Sequence, residues 1–329
     1  MQLSSVYRPI RQDLEQVENI LQETTRADLS WLPAPLANDL RSNGKVTELL
    51  GHILRNSGKR IRPALVILSG KFHSYNPEQL LAAAAATEIM HTATLIHDDA
   101  IDNSPLRRGQ PTINSIWDNE KAILLGDYLF ARAGELTTGT KNLEVLTIFW
   151  QTLMTITSGE LAQSFTSFNP ALSRDQYWHR ITGKTAALFS LATESGAILS
   201  QSPESYTRTL KKYGHNIGIA FQVVDDIMDY SGTKTEIGKP SGSDLLQGTL
   251  TLPTIMLLER QPTNNTVKEL FQNSEKIIEM VRKSTILEEC HAIAADYCAR
   301  ACRILNLLPD NTIRKSLMNL ADYILERRK

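Results

Sequence analysis

The sequence predicts an all-α chain forming a single domain, and three observations carry that prediction. Apolar residues recur at helical spacing along most of the 329 residues. Alternation with a period of two, the mark of a half-buried strand, is essentially missing. The 17 glycines and 13 prolines make up about 9% of the chain against an average near 12%, so turn punctuation is sparse and helices can run long. No composition break, repeat or low-complexity tract divides the chain, so residues 1–329 read as one domain.

In chain order, Ile10, Leu14, Val17, Ile20 and Leu21 lie on one face of a first amphipathic helix. Pro33 and Pro35 make residues 31–40 a loop, and helical spacing resumes over 46–54 up to Asn56-Ser57-Gly58. Pro63 suits the first turn of a short helix ending near Ser69. Asn76-Pro77 then supplies a cap and a first helical proline, opening a long run from 78 to about 102. Residues 103–112, with Pro105, Gly109 and Pro111, form a loop. Further helices are predicted over 119–136, 142–168, 174–199 and 203–230, the third opened by a capping box of Ser173 and Gln176. Residues 231–251 carry loop chemistry for about twenty positions, a length usually reserved for function. From Pro253 onward helical spacing returns.

Lys and Arg number 35 against 36 Asp and Glu, leaving a net charge of -1. That balance excludes a protein whose main task is to coat nucleic acid or an anionic membrane with a basic face. With 42% hydrophobic and 22% charged residues, disorder is excluded too. Cys290, Cys298 and Cys302 are an odd set inside one late helical segment, which points to a reducing compartment. They read as apolar-face residues rather than a metal site. Residues 1–6 lack a basic stretch followed by an apolar core, and no apolar run reaches the ~18 residues of a membrane span. A cytoplasmic protein without a transmembrane segment is expected.

Two clusters stand out. Asp98, Asp99 and Asp102 end the long apolar helix, and Asp225, Asp226 and Asp229 lie near the end of another. In each, the first and last Asp are at i,i+4 and share a helical face. Placing like charges together at the negative end of a helix dipole is unfavourable unless cations join them. Mg²⁺ meets that need, since it takes oxygen ligands, keeps several waters, and bridges carboxylates to substrate phosphates. The basic segments Gly58-Lys59-Arg60-Ile61-Arg62 and Leu106-Arg107-Arg108-Gly109 flank the first cluster. They supply forked and point-charge partners for a diphosphate, to which Lys184, Thr185 and Lys239 could add.

At this point the residues resemble the trans-isoprenyl diphosphate synthase family, the medium- and long-chain polyprenyl synthetases among them. The carrying segments are Gly58–Pro63, His91–Asp99, Leu106–Gly109, Gly183–Ala186, Phe221–Asp226, and Gly238-Lys239-Pro240 followed by Asp244-Leu245, in the family's order. The resemblance implies a helical bundle around a deep central cavity, usually a homodimer. It further implies head-to-tail condensation of isopentenyl diphosphate with an allylic diphosphate such as the geranyl, farnesyl or geranylgeranyl compound, with roughly two to three Mg²⁺ ions. Carried over position by position, Lys59, Arg62, His91 and Arg108 resemble the isopentenyl diphosphate site. Asp98, Asp102, Asp225 and Asp229 resemble the metal ligands. Arg107, Lys184, Thr185 and Gln222 resemble the allylic diphosphate contacts, with Lys239 closing from the loop. Thr249 stands where many relatives carry a second Lys, a departure that bears on one diphosphate contact.

Charge dictates the chemistry. Cations that stabilise the departing diphosphate assist C–O cleavage, the isopentenyl double bond attacks the resulting allylic cation, and proton loss completes the extension. By resemblance, the released diphosphate is the base. Water must be kept out, which suits an apolar cavity and a closing loop. Met90, Ala93 and Thr94 lie one and two turns before Asp98 and are the candidate chain-length residues. Short-chain relatives put bulky aromatics at the positions of Ala93 or Thr94. Their small size here implies an all-trans product of about C30 to C50, the length used for quinone side chains. Met154 and Phe165 are further candidates for the cavity floor. Other readings are a geranylgeranyl diphosphate synthase, a non-catalytic subunit of a heteromeric synthase, a terpene cyclase, and, from His97 beside Asp98, a metal-dependent phosphohydrolase. The second Asp cluster and the Lys59/Arg62 pair argue against the cyclase. The other histidines fall in no ligand motif, against the phosphohydrolase.

Overall fold

The computed structural model describes residues 2–24, 51, 58–107, 109–231, 242–261 and 271–327. The predicted loop at 31–40, nearly all of the helical stretch at 46–54, and Arg108 and Lys239 lie outside them.

The chain begins with α1 (Leu3–Tyr7), a 3-10 turn (Arg8–Ile10) and α2 (Arg11–Thr24). Ile10, Val17 and Leu21 are buried, as their spacing requires. After the undescribed stretch come α3 (Ile61–Gly70) and α4 (Pro77–Ile101). Asn76 caps α4 by accepting from the Glu78 and Gln79 amides at 2.9 and 3.4 Å. The loop predicted after α4 contains a two-residue antiparallel ladder, β1 (Leu106–Arg107) and β2 (Gln110–Pro111), with Leu106 opposite Pro111. Next are α5 (Ile113–Ile116), α6 (Asn119–Gly139) and α7 (Leu143–Thr166).

The predicted helix over 174–199 is divided. An α-helical part, α8 (Arg174–Ile181), opens with the Ser173/Gln176 capping box. A five-residue π turn, Thr182–Ala186, follows, and α9 (Ala187–Leu199) resumes the α spacing. π turns insert a residue and recur at functional sites. Beyond it lie α10 (Glu204–Ser231), α11 (Ser243–Leu246), α12 (Leu252–Arg260), α13 (Ser274–Arg282), α14 (Ile286–Leu305) and α15 (Thr312–Glu326).

Buried apolar side chains from Val6 to Ile324 form one continuous cluster. At its centre α4 is packed by α2, α3, α6 and α9, while α10 lies between α9 and α14. Helix α4 is buried on nearly every side along 83–100. The partly accessible positions include His91, Thr94, Leu95 and Asp98. That i, i+3, i+4, i+7 spacing marks one accessible stripe along α4. Among the described residues no helix is long and apolar enough to cross a membrane. Cys290 and Cys298 are buried, with thiols pushed up to about 12 by burial, and none of the three cysteines is in a disulfide.

One expectation is corrected. Met154 and Phe165 do not line an internal floor: they are 70% and 88% exposed on the outside of α7. They are candidates because their helix could line the cavity floor, but the face that carries them turns away from the chain's own core.

Candidate active site

The first Asp cluster ends α4. Asp98 is half-buried on the accessible stripe, and Asp102 is the exposed C-cap residue. Asp99, between them, turns inward and accepts from Arg107 Nε at 2.6 Å, so Arg107 is folded back onto the cluster. Opposite Asp98 stands Lys184, with Nζ 3.4 Å from Asp98 Oδ2 and 2.7 Å from Glu160 Oε1. Burial works against the charge on Lys184, but the two carboxylates outweigh it and hold the ammonium above the usual lysine value. Burial likewise raises Glu160, with Lys184 opposing.

The second cluster lies on α10, and its three carboxylates have different surroundings. The Asp225 side chain is 50% exposed and pairs with Arg327 Nη2 at 2.9 Å. Arg327 also stacks on the Phe221 ring, 3.6 Å from the centroid. Asp226 is buried, taking hydrogen bonds from Tyr177 at 2.7 Å and from the Gln222 amide at 2.9 Å. Burial pushes its carboxyl up to about 6. Asp229 accepts from the Ser243 amide and hydroxyl at 3.1 and 2.9 Å, which ties α10 to the start of α11. Burial also raises Asp229, its largest cause.

The dipeptide Lys184-Thr185 joins the clusters. Lys184 reaches the first directly, and Thr185 donates to Gln222 Oε1 at 2.6 Å, which binds Asp226 of the second. Both residues lie in the π turn, and as consecutive helical positions they point in different directions and so reach different helices. Close approach of α10 is permitted by Gly218, where a Cβ would lie 2.6 Å from the Ala186 Cα. Gln222, one turn further along α10, is thereby brought to Thr185.

Lys59 lies just before α3, its Nζ 5.3 Å from the Tyr323 ring centroid. Arg62, nearly buried, stands over Phe189 at 4.9 Å and Phe221 at 5.9 Å, beside Gln222 on α10. His91 is on the same stripe of α4 as Asp98, two turns before it. Of the chain-length candidates, Thr94 is on this stripe, whereas Met90 and Ala93 are fully buried in the core. Thr249 is half-buried, its amide donating to the Asp244 carbonyl at 2.8 Å. His97 faces away from the stripe and contacts the Ile123 carbonyl at 3.0 Å. Its ring packs where a Cβ on Gly126 would sit, so its role is packing α4 on α6.

Sequence reasoning missed three participants. Glu160 is the one carboxylate of α7 beyond Glu144 at its start, and an isolated acid in a neutral apolar helix is a readable signal. Tyr177 and Arg327 carry no such signal, because neither belongs to a motif.

Among the described residues, no three Asp, Glu, His or Cys side chains are close enough to hold a metal by themselves. The donors present are hard carboxylate oxygens split between two helices. Such a set fits Mg²⁺, whose remaining positions are taken by water and substrate phosphate.

The sequence profile of the polyprenyl synthetase family matches residues 43–287. This chain belongs to that family. As a polyprenyl synthetase it is a prenyltransferase, an enzyme that transfers an alkyl group other than methyl. It is 34% identical to heptaprenyl diphosphate synthase component 2 of Bacillus subtilis (strain 168), covering 100% of this chain and 92% of the relative. It is 38% identical to the all-trans-nonaprenyl-diphosphate synthase (geranyl-diphosphate specific) of Rhodobacter capsulatus, over 84% of this chain and 87% of that one. Among solved structures, the polyprenyl synthase from Caulobacter crescentus CB15 complexed with calcium and isoprenyl diphosphate superposes with a TM-score of 0.90. It is 30% identical, with 100% of this chain and 98% of that chain covered.

Proposed function

We propose that the chain, acting as one domain over residues 1–329, is an all-trans polyprenyl diphosphate synthase that condenses isopentenyl diphosphate repeatedly onto an allylic diphosphate. The observation that carries this is the Lys184-Thr185 bridge between the two Asp clusters. It gathers one cation and two separated carboxylate sets into a single site. Asp98 and Asp102 on one helix and Asp225 and Asp229 on the other would hold Mg²⁺, which when bound neutralises the diphosphate charge that grows as the C–O bond breaks.

The chain's own groups do the rest. Lys184, Thr185 and Gln222 bind and orient the allylic diphosphate, assisted by Arg107 once it leaves Asp99, and by Lys239. Lys59, Arg62, His91 and Arg108 bind isopentenyl diphosphate. The apolar walls of the bundle keep water from the allylic cation. Long relatives such as the nonaprenyl enzyme, together with the small Thr94 on the accessible stripe, support a product of about C30 to C50.

Helix α7 supports a homodimer. Leu143, Trp150, Met154, Leu161 and Phe165 are all exposed on it. Their spacing repeats every eleven residues, close to three helical turns, so they lie along one face of α7, interrupted by Thr147, Thr157 and Ser158, that a second copy would cover. The heptaprenyl relative is called component 2, and that name supports a second reading, in which the chain works with a different subunit.

Incubating the purified chain with Mg²⁺, labelled isopentenyl diphosphate and farnesyl diphosphate tests both. Extended products that vanish with EDTA are expected, and their chromatography reads the chain length. No extension by the chain alone would overturn the homomeric synthase and favour the heteromeric one. Hydrocarbon or alcohol released without consuming isopentenyl diphosphate would indicate a cyclase.

A further inference from the structure

Arg60 lies between Lys59 and Arg62 in sequence but does not join them. Its backbone is left-handed, with φ +53, a conformation uncommon for residues of its type. Gly58, two residues earlier, also has positive φ. The chain therefore turns sharply at the very point where the two cationic side chains assigned to isopentenyl diphosphate enter the site.

Two N-terminal helices hold that turn. Arg60 Nη2 donates to Glu18 Oε2 at 2.9 Å and Nε donates to Glu18 Oε1, a forked pair with α2. Nη1 donates to Glu88 Oε1 at 3.0 Å, on α4. The Arg60 and Glu88 side chains are 11% and 5% exposed, so this pair is largely removed from water, while Glu18 closes the fork from the more open side, at 40% exposure. Beside it, the Tyr7 hydroxyl at the end of α1 donates to the Lys59 carbonyl at 2.6 Å. Glu88 is also three residues before His91 on α4, so the same triad relates the turn to the helix bearing that third candidate for the same substrate.

We propose that Arg60, Glu18, Glu88 and Tyr7 are positioning residues for isopentenyl diphosphate. The N-terminal helices clamp the left-handed turn at Arg60, so that Lys59 and Arg62 are presented together to one diphosphate. A forked Arg–carboxylate pair fixes orientation as well as distance, which a single lysine contact would not do. Removing Glu18 leaves the Arg60 charge paired with Glu88 but takes away the fork that fixes its orientation, so the left-handed turn is held less firmly. This inference rests on the assignment of Lys59 and Arg62 in the proposed function.

Glu18→Gln and Tyr7→Phe, made in the full chain, test it, the second being mild enough to leave the fold intact. Steady-state rates with each substrate varied are combined with calorimetric titration of isopentenyl diphosphate into the Mg²⁺-containing protein. Expected is a KM for isopentenyl diphosphate raised roughly tenfold by Glu18→Gln and a few-fold by Tyr7→Phe, matched by weaker binding. KM for farnesyl diphosphate and kcat should stay within about twofold. An unchanged isopentenyl diphosphate KM in both variants overturns the clamp, as does an equal loss for both substrates. Wild-type protein that neither extends nor binds isopentenyl diphosphate overturns instead the assignment beneath it.

Discussion

The hydroxyl of Tyr177 donates a 2.7 Å hydrogen bond to Asp226, the middle carboxylate of the second cluster, and holds it in the core away from its two neighbours. Burial lifts this carboxyl from the ordinary 3.8 to about 6. Below about pH 4 both folded and unfolded chains carry the proton, so the group costs nothing. Between about 4 and 6 the folded chain holds a proton that the unfolded chain has lost, so stability falls as pH rises, by on the order of 3 kcal/mol in all. Asp226→Asn removes this titration, and flipping the Gln222 amide lets every hydrogen bond re-form. In metal-free protein, the wild-type Tm should therefore drop relative to that variant as pH rises through this window. A difference that is constant from pH 4 to pH 8 would show that Asp226 does not titrate there.

Lys184 divides its charge between Glu160 and Asp98, with the shorter contact to Glu160. Glu160→Gln should release the ammonium toward Asp98, where it competes with Mg²⁺ for a proposed ligand. The expected result is a half-saturating Mg²⁺ concentration raised roughly threefold to tenfold, the worth of one charge-assisted contact. An Mg²⁺ titration of the initial rate, at saturating substrates, measures it. A curve superimposable on wild type would remove Glu160 from the site.

Much of this is legible in the sequence. Asn76-Pro77 and Ser173/Gln176 announce helix starts, because capping is a local affair of a few residues. The two Asp clusters declare themselves through i,i+4 spacing at apolar helix ends. What stayed hidden depends on distant partners. Residues 183–186 are marked in the sequence as a segment, but their π geometry and their contacts with Glu160 and Gln222 depend on helices far away in the chain. Arg60 reads as one more cation in a basic run until Glu18 and Glu88 are seen around it. Met154 and Phe165 lie on a helix as expected, but helix placement alone does not say what each of its faces meets.

That outward face leads to a prediction about assembly. The stripe from Leu143 to Phe165 is apolar and uncovered in one copy of the chain. Met154→Asp combined with Phe165→Asp would place two charges on a surface that the proposed homodimer would dehydrate, at a cost of several kcal/mol. Sedimentation should give a dimer mass for wild type and a monomer mass for the double variant, with unchanged helical circular dichroism. A wild-type monomer would refute the stripe as a self-association surface.

The chain-length candidates now separate by where they sit. Thr94 shares the accessible stripe with His91 and Asp98, one turn before Asp98, whereas Ala93 is fully buried among core residues. A phenylalanine at either position adds the same bulk but spends it differently. Thr94→Phe projects into the open side of α4, so it should shorten the products by several isoprene units and leave Tm nearly unchanged. Ala93→Phe must displace packed neighbours, which costs about 1–3 kcal/mol through overpacking. It should lower Tm, and it shortens products only so far as the displaced side chains are pushed toward the stripe. Chromatography of the dephosphorylated products, together with thermal unfolding of both variants, decides the matter. An unaltered product distribution with Thr94→Phe would mean that the growing chain does not run along this face of α4.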